Sequence, residues 1–366
     1  MLLYWMLFFI PAFFAMAGQP RINKNGKGFY PFNIDTLWLL LILVLTLFIG
    51  LRVEVGGDWF SYIRLYAFVS TLGSFLDAEP ALLIGGDPGY LFINWLSARL
   101  NWGIYGVNLI CGLIFSSGLA LFCRTLPRPL LALTVAVPYL VIVVGMGYTR
   151  QSAALGIVFL GLIALAREKK LYFFILVVIA VTLHKSAIIL IPIAALSESR
   201  NRFQSIFFLG VLFAVLYFNF LADPFEKLYR NYILNQDAQS QGATIRALMN
   251  VLPSLIYLTW PHRFNFTRSE RGLWSLVALI SLALFIMLFV LPDLSTAIDR
   301  IALYMLPIQL VIFSHLPEIF NNNKEITSKI LVFLIIFYYL FVLFVWLNFA
   351  IHAGGWLPYR NLLFEL

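Results

Sequence analysis

Apolar runs recur along the chain with few charges inside them, and this pattern limits the possible folds more than any other feature. A helix that spans the hydrocarbon core of a bilayer needs about 20 mostly apolar residues. The runs lie at about 1–18, 35–51, 103–122, 129–147, 151–166, 171–183, 186–197, 203–220, 247–260, 273–291, 301–316 and 330–350. They predict an all-α polytopic membrane protein of about twelve transmembrane helices, with residues 1–366 forming a single integral membrane domain.

The composition excludes two other classes of protein. Hydrophobic residues make up 62% of the chain and charged residues 11%, against about 25% charged residues in a soluble domain. The net charge of +8 is spread out, without the basic tail or block that follows a nucleic-acid backbone. The two cysteines lie in or at the end of one apolar run, and the chain has no Walker A, HExxH or Cys/His zinc motif. We therefore expect no nucleic-acid partner, no ATP-driven transport and no metal site.

The distribution of basic residues predicts the orientation of the chain. If the N-terminus lies outside, alternate loops become cytoplasmic, and these hold 15 of the 25 Lys and Arg residues. These inner loops are 19–34, 123–128, 167–170, 198–202, 261–272 and 317–329. Both termini are then outside, as are the two longest loops, at about 52–102 and 221–246. Long loops in a compact protein are usually functional, so we expect these two to cover an active site.

The first outer loop begins with a cluster of charged and aromatic residues. The cluster contains Arg52, Glu54, Gly56-Gly57-Asp58, Trp59 and Tyr62. Charged groups at membrane depth are costly and usually face a cavity. An interfacial belt of aromatic residues is the structural alternative, but such a belt needs neither the arginine nor the two acids. We therefore expect a functional role here.

A second Gly-Gly-Asp string follows in the same loop. It reads Gly85-Gly86-Asp87-Pro88-Gly89-Tyr90 and leads to Trp95. Glycines permit tight turns and the close approach of a backbone to a ligand. Turn formation explains the string equally well, so alone it is weak evidence for a site.

Arg150 lies in the short turn Tyr148-Thr149-Arg150-Gln151 between two apolar runs. A guanidinium group is always charged, and its planar fork matches phosphate oxygens. An arginine that snorkels to the membrane surface is the structural alternative. Because the turn holds Arg150 at a defined depth, we favour an anionic ligand.

His184-Lys185-Ser186 interrupts the apolar stretch 171–196. The stretch is too long for one span and short for two, which predicts a broken hairpin. Irregular backbone at membrane depth is tolerated where protein buries it or where it lines a cavity. A structural and a catalytic role for the histidine are equally open.

Five arginines belong to the outer face in this topology. They are Arg52, Arg150, Arg246, Arg300 (in Asp299-Arg300 with Tyr304) and Arg360 (in Pro358-Tyr359-Arg360). Several guanidinium groups that converge on one cavity would form an anion site of pyrophosphate size.

These strings resemble, in order and at suitable spacing, the EpsG-type branch of the Wzy-like polysaccharide polymerases. The matching residues are Arg52, Gly57-Asp58-Trp59, Tyr62, Asp87-Pro88-Gly89-Tyr90, Asn94, Arg150-Gln151, Ala153, His184, Ser186-Ala187, Asp299-Arg300, Tyr304 and Pro358-Tyr359-Arg360. They cover nearly the whole chain. The sequence departs from the family motif at position 87, which is Asp where the motif has Glu. The resemblance therefore says less about the role of this residue than about the others.

The resemblance implies a GT-C-like helical bundle in the bacterial cytoplasmic (inner) membrane, with the termini and the active site facing the periplasm. Such a protein moves a growing glycan from undecaprenyl pyrophosphate to a sugar hydroxyl of the next lipid-linked repeat unit. No cofactor and no metal are implied, whereas a chain-length regulator and a flippase of the same pathway are implied partners. An O-antigen ligase is the alternative among enzymes. A flippase or exporter of lipid-linked oligosaccharide is the alternative in another class, although the sequence shows no transporter-like repeat.

Candidate roles follow from this reaction. The leaving pyrophosphate needs positioned cations, for which the candidates are Arg150, Arg300, Arg360, Arg52 and Arg246. The acceptor hydroxyl needs a general base, for which the candidates are Asp58, His184 and Glu54. Contacts to the glycan are expected from Trp59, Tyr62, Tyr90, Trp95, Asp87, Gln151 and Tyr304.

Overall fold

The structure is a computed structural model that describes residues 1–18, 35–78, 86–198, 243–292, 295–320 and 325–365, with isolated positions between 203 and 214. The first helices are α1 (Leu2–Ala17), α2 (Thr36–Gly50), α3 (Trp59–Ser70), α4 (Pro88–Arg99), α5 (Gly103–Thr125), α6 (Pro129–Ala136), α7 (Thr149–Ala166) and α8 (Lys170–Leu183). The others are α9 (Leu190–Glu198), α10 (Ala243–Thr259), α11 (Arg268–Val290), α12 (Ser295–Met305), α13 (Pro307–Ile319), α14 (Glu325–Phe349) and α15 (Leu362–Glu365). Within these ranges the β pairing amounts to one isolated bridge, so the expected all-α class is confirmed.

Four of the described helices are long and apolar enough to cross a membrane, namely α5, α7, α11 and α14. The pair α12 and α13, bent by 42°, makes a fifth if it counts as one span. Six shorter apolar helices accompany them: Leu2–Ala17, Thr36–Gly50, Pro129–Gly145, Lys170–Leu183, Lys185–Leu196 and Ala243–Thr259. A 16-residue helix is only about 24 Å long, less than a hydrocarbon core of about 30 Å.

The chain is therefore a polytopic helical membrane protein, but the count of twelve spans and the outside location of the termini stay predictions. The predicted run at 203–220 lies mostly outside the described residues.

Glycines set the packing at the centre of the bundle. Helix α5 packs on α2 and α7, and α7 also packs on α8. A Cβ at Gly118 of α5 would collide with the backbone of Gly156 on α7, and a Cβ at Gly156 would collide with that of Ile114. Small residues let helices approach closely in a bilayer, where van der Waals packing is a main force between them. This contact fixes α7, whose first turn carries Arg150.

The segment 52–102, predicted as a long loop, is largely helical. It contains α3, a 3-10 turn at Phe75–Ala78 and α4, and positions 79–85 lie outside the described residues. Three of the twelve α3 residues are buried, Trp59, Tyr62 and Val69, so this helix is one-sided and too short to appear as an apolar run. The other predicted loop, 221–246, is described only from residue 243, where α10 begins.

The C-terminal segment returns to the start of this outer segment. The Val53 N–H donates a hydrogen bond to the Arg360 carbonyl at 3.0 Å. The Trp356 indole N–H donates to the Ile142 carbonyl at 2.9 Å, and its ring lies against Gly57. The Gly-Gly-Asp turn is therefore held between the C-terminal segment and the helical segment that precedes α7.

Candidate functional site

The first turns of α3, α4 and α7 meet at the break after α8. Helix α8 ends at Leu183, and the extended backbone of the next residue, His184 (φ −157°, ψ 116°), leads into a 3-10 turn at Lys185–Ile189. The predicted interruption of this apolar stretch is thus confirmed. Asp58 and Asp87 immediately precede α3 and α4, and Arg150 lies in the first turn of α7. Helix N-termini present unpaired N–H groups and partial positive charge, so this meeting point suits anionic groups.

Asp87 connects the elements of this region. Its Oδ2 lies 3.0 Å from Arg150 Nη1 and 3.3 Å from His184 Nδ1, and its Oδ1 accepts the backbone N–H of Lys185 at 3.0 Å. Burial raises the pKa of the Asp87 carboxyl, but the hydrogen bonds from His184 and from the Lys185 N–H, together with the charge of Arg150, outweigh burial and hold this pKa below its usual value. Asp87 is therefore a buried, ionised carboxylate that joins α4, α7 and the break. The sequence had led us to expect that Asp87 contacts the glycan, but its burial leaves it closed to a sugar.

Gly89 lets α4 approach α8 closely enough for these contacts. A Cβ at Gly89 would meet the hydroxyl and the backbone carbonyl of Thr182. Pro88 begins α4, where its missing N–H costs no hydrogen bond. The string Asp87-Pro88-Gly89 therefore starts a helix and permits helix packing, which brings Asp87 to His184.

Arg150 is held between two tyrosines and remains partly open. Tyr62 lies close enough to interact electrostatically with the guanidinium, whose Cζ lies 5.9 Å from the centre of the Tyr90 ring. The guanidinium side chain is 30% exposed, whereas the two tyrosines are 6% and 0% exposed. The tyrosines therefore orient Arg150 and have no open ring face for a sugar, contrary to the expectation from sequence.

Arg300 reaches the same region from α12. The residue is exposed, and within the described ranges its guanidinium has no hydrogen bond or ion pair. Gln151 donates to the Arg300 backbone carbonyl at 3.2 Å, and the Ser186 hydroxyl donates to that of Tyr304 at 3.3 Å. Gln151 and Tyr304 are buried, so they hold α12 in place instead of contacting glycan. Ser186 was not among the residues predicted to form the site.

Asp58 lies within electrostatic reach of both arginines. Asp58 is exposed at the surface, and the surrounding protein partly desolvates its carboxyl group. Burial raises the pKa of Asp58, and the charges of Arg150 and Arg300 offset this effect only in part. A raised pKa makes the carboxylate a stronger base, which suits it to accept a proton.

Arg246 borders this region but is already paired with Asp299. Tyr148 lies close enough to interact electrostatically with this pair and also with Asp58 and Arg300. Tyr148 was not among the predicted site residues. The signal was available, because it stands two residues before Arg150 in the turn.

Arg52 departs from its predicted role in pyrophosphate binding. It is 1% exposed and donates four hydrogen bonds to protein, to the carbonyls of Ile49 and Val55 and to the side chains of Asn108 and Thr149. The last carbonyls of a helix have no partner within it, and Arg52 supplies one at the end of α2. Its guanidinium therefore fixes the outer segment to α5 and α7 and has little capacity left for a ligand.

Glu54 and Arg360 pair with each other at the surface. Arg360 Nη1 lies 2.7 Å from Glu54 Oε2, and the side chains are 46% and 52% exposed, respectively. The pair joins the C-terminal segment to the start of the outer segment. The predicted roles, base for Glu54 and phosphate contact for Arg360, would require this pair to open.

Trp59 and Trp95, two of the residues predicted to stack on sugars, pack against protein. Trp59 is 3% exposed, and its ring centre lies 5.7 Å from Arg52 Cζ. Trp95 stacks on Phe92 with 6.1 Å between ring centres. Of the predicted site residues, the structure gathers Asp58, Tyr62, Asp87, Tyr90, Arg150, His184 and Arg300 in one place.

The sequence model of the EpsG family matches residues 35–361, which include every residue gathered in this site. No curated protein matches the chain, and no solved structure does. The match covers nearly the whole chain, and the chain therefore belongs to the EpsG family of polysaccharide polymerases.

Proposed function

We propose that the protein transfers a growing glycan from undecaprenyl pyrophosphate to a sugar hydroxyl of the next lipid-linked repeat unit. The observation that carries this proposal is the presence of two guanidinium groups, Arg150 and Arg300, within electrostatic reach of one carboxyl group, Asp58. Guanidinium groups suit the oxygens of a diphosphate, and a carboxyl group suits proton transfer from a hydroxyl.

The two arginines have the properties that a pyrophosphate leaving group requires. When the bond from the anomeric carbon to the phosphate oxygen breaks, negative charge grows on that oxygen, and fixed cations stabilise it. Asp87 fixes the Arg150 guanidinium while 30% of its side chain stays open. Arg300 contributes a second guanidinium that the described residues leave without a hydrogen bond or ion pair. Arg246 supports α12 through Asp299 instead of meeting the phosphates.

Two proton acceptors border these arginines. Asp58 and His184 both interact electrostatically with Arg150 and Arg300. Glu54 is the weaker candidate, because its carboxylate is engaged by Arg360. The acceptor hydroxyl can therefore be activated next to the point where the pyrophosphate leaves.

An apolar groove supports a lipid-linked substrate. A cavity of about 830 Å³ opens between α1 and α14, and its lining side chains are aliphatic and aromatic. Tyr4 of α1 donates to the Trp356 carbonyl at 2.9 Å, and the Trp356 ring lies against Gly57, next to Asp58. The groove is thus linked to the turn that carries Asp58, and we assign it to a polyprenyl tail.

The cellular setting follows from the same proposal. The basic loops favour a site on the periplasmic face of the bacterial inner membrane. The donor is already activated, so no nucleotide and no metal are required. The partners are the lipid-linked donor and acceptor, the surrounding lipid, and the flippase and chain-length regulator of the pathway.

The test uses purified protein in liposomes with lipid-linked repeat units and without nucleotide. A ladder of longer glycans is expected. Movement of unextended lipid across the bilayer without a ladder would instead indicate a flippase or exporter, and transfer of glycan only to a different acceptor lipid would indicate a ligase.

Arginine variants test the site in the same assay. Arg150→Ala should abolish the ladder, and Arg150→Lys should restore little because it keeps the charge but loses the fork. Arg268→Ala, at an exposed arginine of α11, is the matched control and should leave the ladder unchanged. A normal ladder from Arg150→Ala at a normal protein level would show that Arg150 does not bind the phosphates.

A further inference from the structure

His184 is held by one ring nitrogen, which leaves the other for chemistry. Its Nδ1 lies 3.3 Å from Oδ2 of Asp87. An ionised carboxylate has no proton to give, so in a hydrogen bond between these atoms the proton belongs to Nδ1. In the neutral ring Nε2 then carries the lone pair. The His184 side chain keeps 12% of its surface exposed, three times the fraction of Asp87 at 4%.

We propose that Asp87 is a positioning residue that keeps the proton on Nδ1 of His184, so that Nε2 acts as the general base on the acceptor hydroxyl. This inference rests on the proposed function, which left the base open between His184 and Asp58. It also gives Asp87 a role different from the glycan contact expected from the sequence.

The contacts of Asp87 suit this task because both of its oxygens are engaged. Oδ1 accepts the Lys185 N–H, and Oδ2 meets Arg150 and His184. The carboxylate cannot rotate without losing the hydrogen bond from the residue next to His184 in the chain. It therefore fixes both the tautomer and the direction of the imidazole ring.

Burial, with the charges of Arg150 and Arg300, keeps the imidazole neutral until the donor arrives. Burial lowers the pKa of His184, Asp87 raises it, and the charges of Arg150 and Arg300 lower it further, with a net lowering. A bound diphosphate would neutralise the two arginines, which favours the imidazolium that forms during the reaction. The base would thus gain strength when the donor is in place.

The proposed step balances in atoms and charge. The acceptor O–H gives its proton to Nε2 of His184, and the acceptor oxygen forms the new bond to the anomeric carbon. The bond from that carbon to the pyrophosphate oxygen breaks, and its electron pair goes to the leaving group beside Arg150 and Arg300. The imidazolium then returns its proton to the released pyrophosphate or to water.

Substitutions at position 87 provide the first test. The carboxamide of Asp87→Asn cannot accept from both the Lys185 N–H and Nδ1–H with separate oxygens, so it favours the wrong tautomer or a turned ring. We expect the polymerisation rate to fall about 10²–10⁴-fold, the range of a positioned acid–base group, with little change in KM for the lipid donor. Asp87→Glu keeps two carboxylate oxygens, and its polymerisation rate should be at least tenfold higher than that of Asp87→Asn. Asp77→Asn, at an exposed acid on the 3-10 turn, is the control.

Chemical rescue provides the second test, which a merely structural role would not pass. Imidazole added to His184→Ala should restore the rate at least tenfold by filling the vacated space. It should not restore Arg150→Ala or Asp58→Ala. If Asp87→Asn fails to fold, the rescue of His184→Ala tests the base, and the rate of Asp87→Glu, expected to lie within about tenfold of the wild-type rate, tests the positioning role.

The outcomes separate this inference from the proposed function. If the wild-type protein gives no ladder, both fall. If the wild type gives a ladder but imidazole does not restore His184→Ala, or Asp87→Asn polymerises at the wild-type rate, only this inference is wrong. Asp58 would then be the remaining base.

Discussion

Arg246 and Asp299 form a two-point ion pair that ties α10 to α12. Arg246 Nη2 lies 2.7 Å from Asp299 Oδ2, and its Nε lies 2.6 Å from Oδ1. The side chains are 14% and 9% exposed, so solvent screens the pair little. Because Arg300 follows Asp299 directly, this pair sets the position of an arginine that we assign to the pyrophosphate.

We expect Arg246→Ala to destabilise the protein, because it removes the guanidinium that pairs with the buried Asp299 carboxylate. Breaking a buried pair from one side costs about 3–5 kcal/mol. The double variant Arg246→Gln with Asp299→Asn should recover part of this loss. Thermal unfolding in detergent measures the effect, with Lys329→Ala as control, because that residue forms an exposed ion pair with Glu325. Equal effects of Arg246→Ala and Lys329→Ala would show that the buried pair contributes nothing special.

Arg52 should matter for folding and not for ligand affinity. Arg52→Met removes the donors of four hydrogen bonds, and each buried acceptor left unpaired costs about 1–3 kcal/mol. We expect a lower Tm and a lower protein level, while the folded fraction binds lipid pyrophosphate with unchanged affinity. A selective loss of affinity at normal Tm would return Arg52 to the phosphate site.

The stability of the protein should depend on pH through Asp87. Its pKa is lower in the folded state, so its contribution is complete above the unfolded-state value of about 3.9 and is lost as the pH falls through the folded-state pKa. We expect Asp87→Asn to lower Tm at pH 7, and the difference from wild type to shrink as the pH falls from about 5 to 3. Asp77→Asn should show no such trend, and a difference that stays constant with pH would contradict the prediction.

The helical class and the break at His184 could be predicted from sequence because they depend on local patterns. Apolar periodicity and length define the long helices, and His184-Lys185 interrupts such a pattern directly. The helices at 59–70 and 88–99 could not be predicted in this way, because they are short, partly polar and stabilised by packing on neighbours. Several other apolar helices are only 14 to 17 residues long. An apolar run in the sequence therefore does not by itself show that its helix crosses the whole membrane.

Within the site, sequence identified which residue types are unusual but not which partner each one has. Arg52 and Arg150 look alike in sequence, since each is a lone arginine beside a span. The structure saturates Arg52 with hydrogen bonds and leaves Arg150 partly open, a difference that arises from Asn108 and Thr149 and thus from tertiary packing. Asp87 likewise has a role that depends on His184, 97 positions away in the chain.

Removal of metal should leave polymerisation unchanged if guanidinium groups alone neutralise the leaving pyrophosphate. The ladder formed in excess EDTA should match the ladder formed with Mg²⁺. Loss of the ladder in EDTA and its return on addition of Mg²⁺ would show that a metal ion shares the role assigned to Arg150 and Arg300.

Arg300→Ala should separate catalysis from stability. The guanidinium is exposed and makes no hydrogen bond or ion pair within the described part of the chain, so its removal should change the free energy of unfolding by less than about 0.5 kcal/mol. Loss of one charge-stabilising donor at a leaving group costs about 10²–10³-fold in rate, and we expect a decrease of that order in kcat/KM for the lipid donor. Arg300→Lys should recover part of it, and an unchanged kcat/KM for Arg300→Ala would remove this residue from the pyrophosphate site.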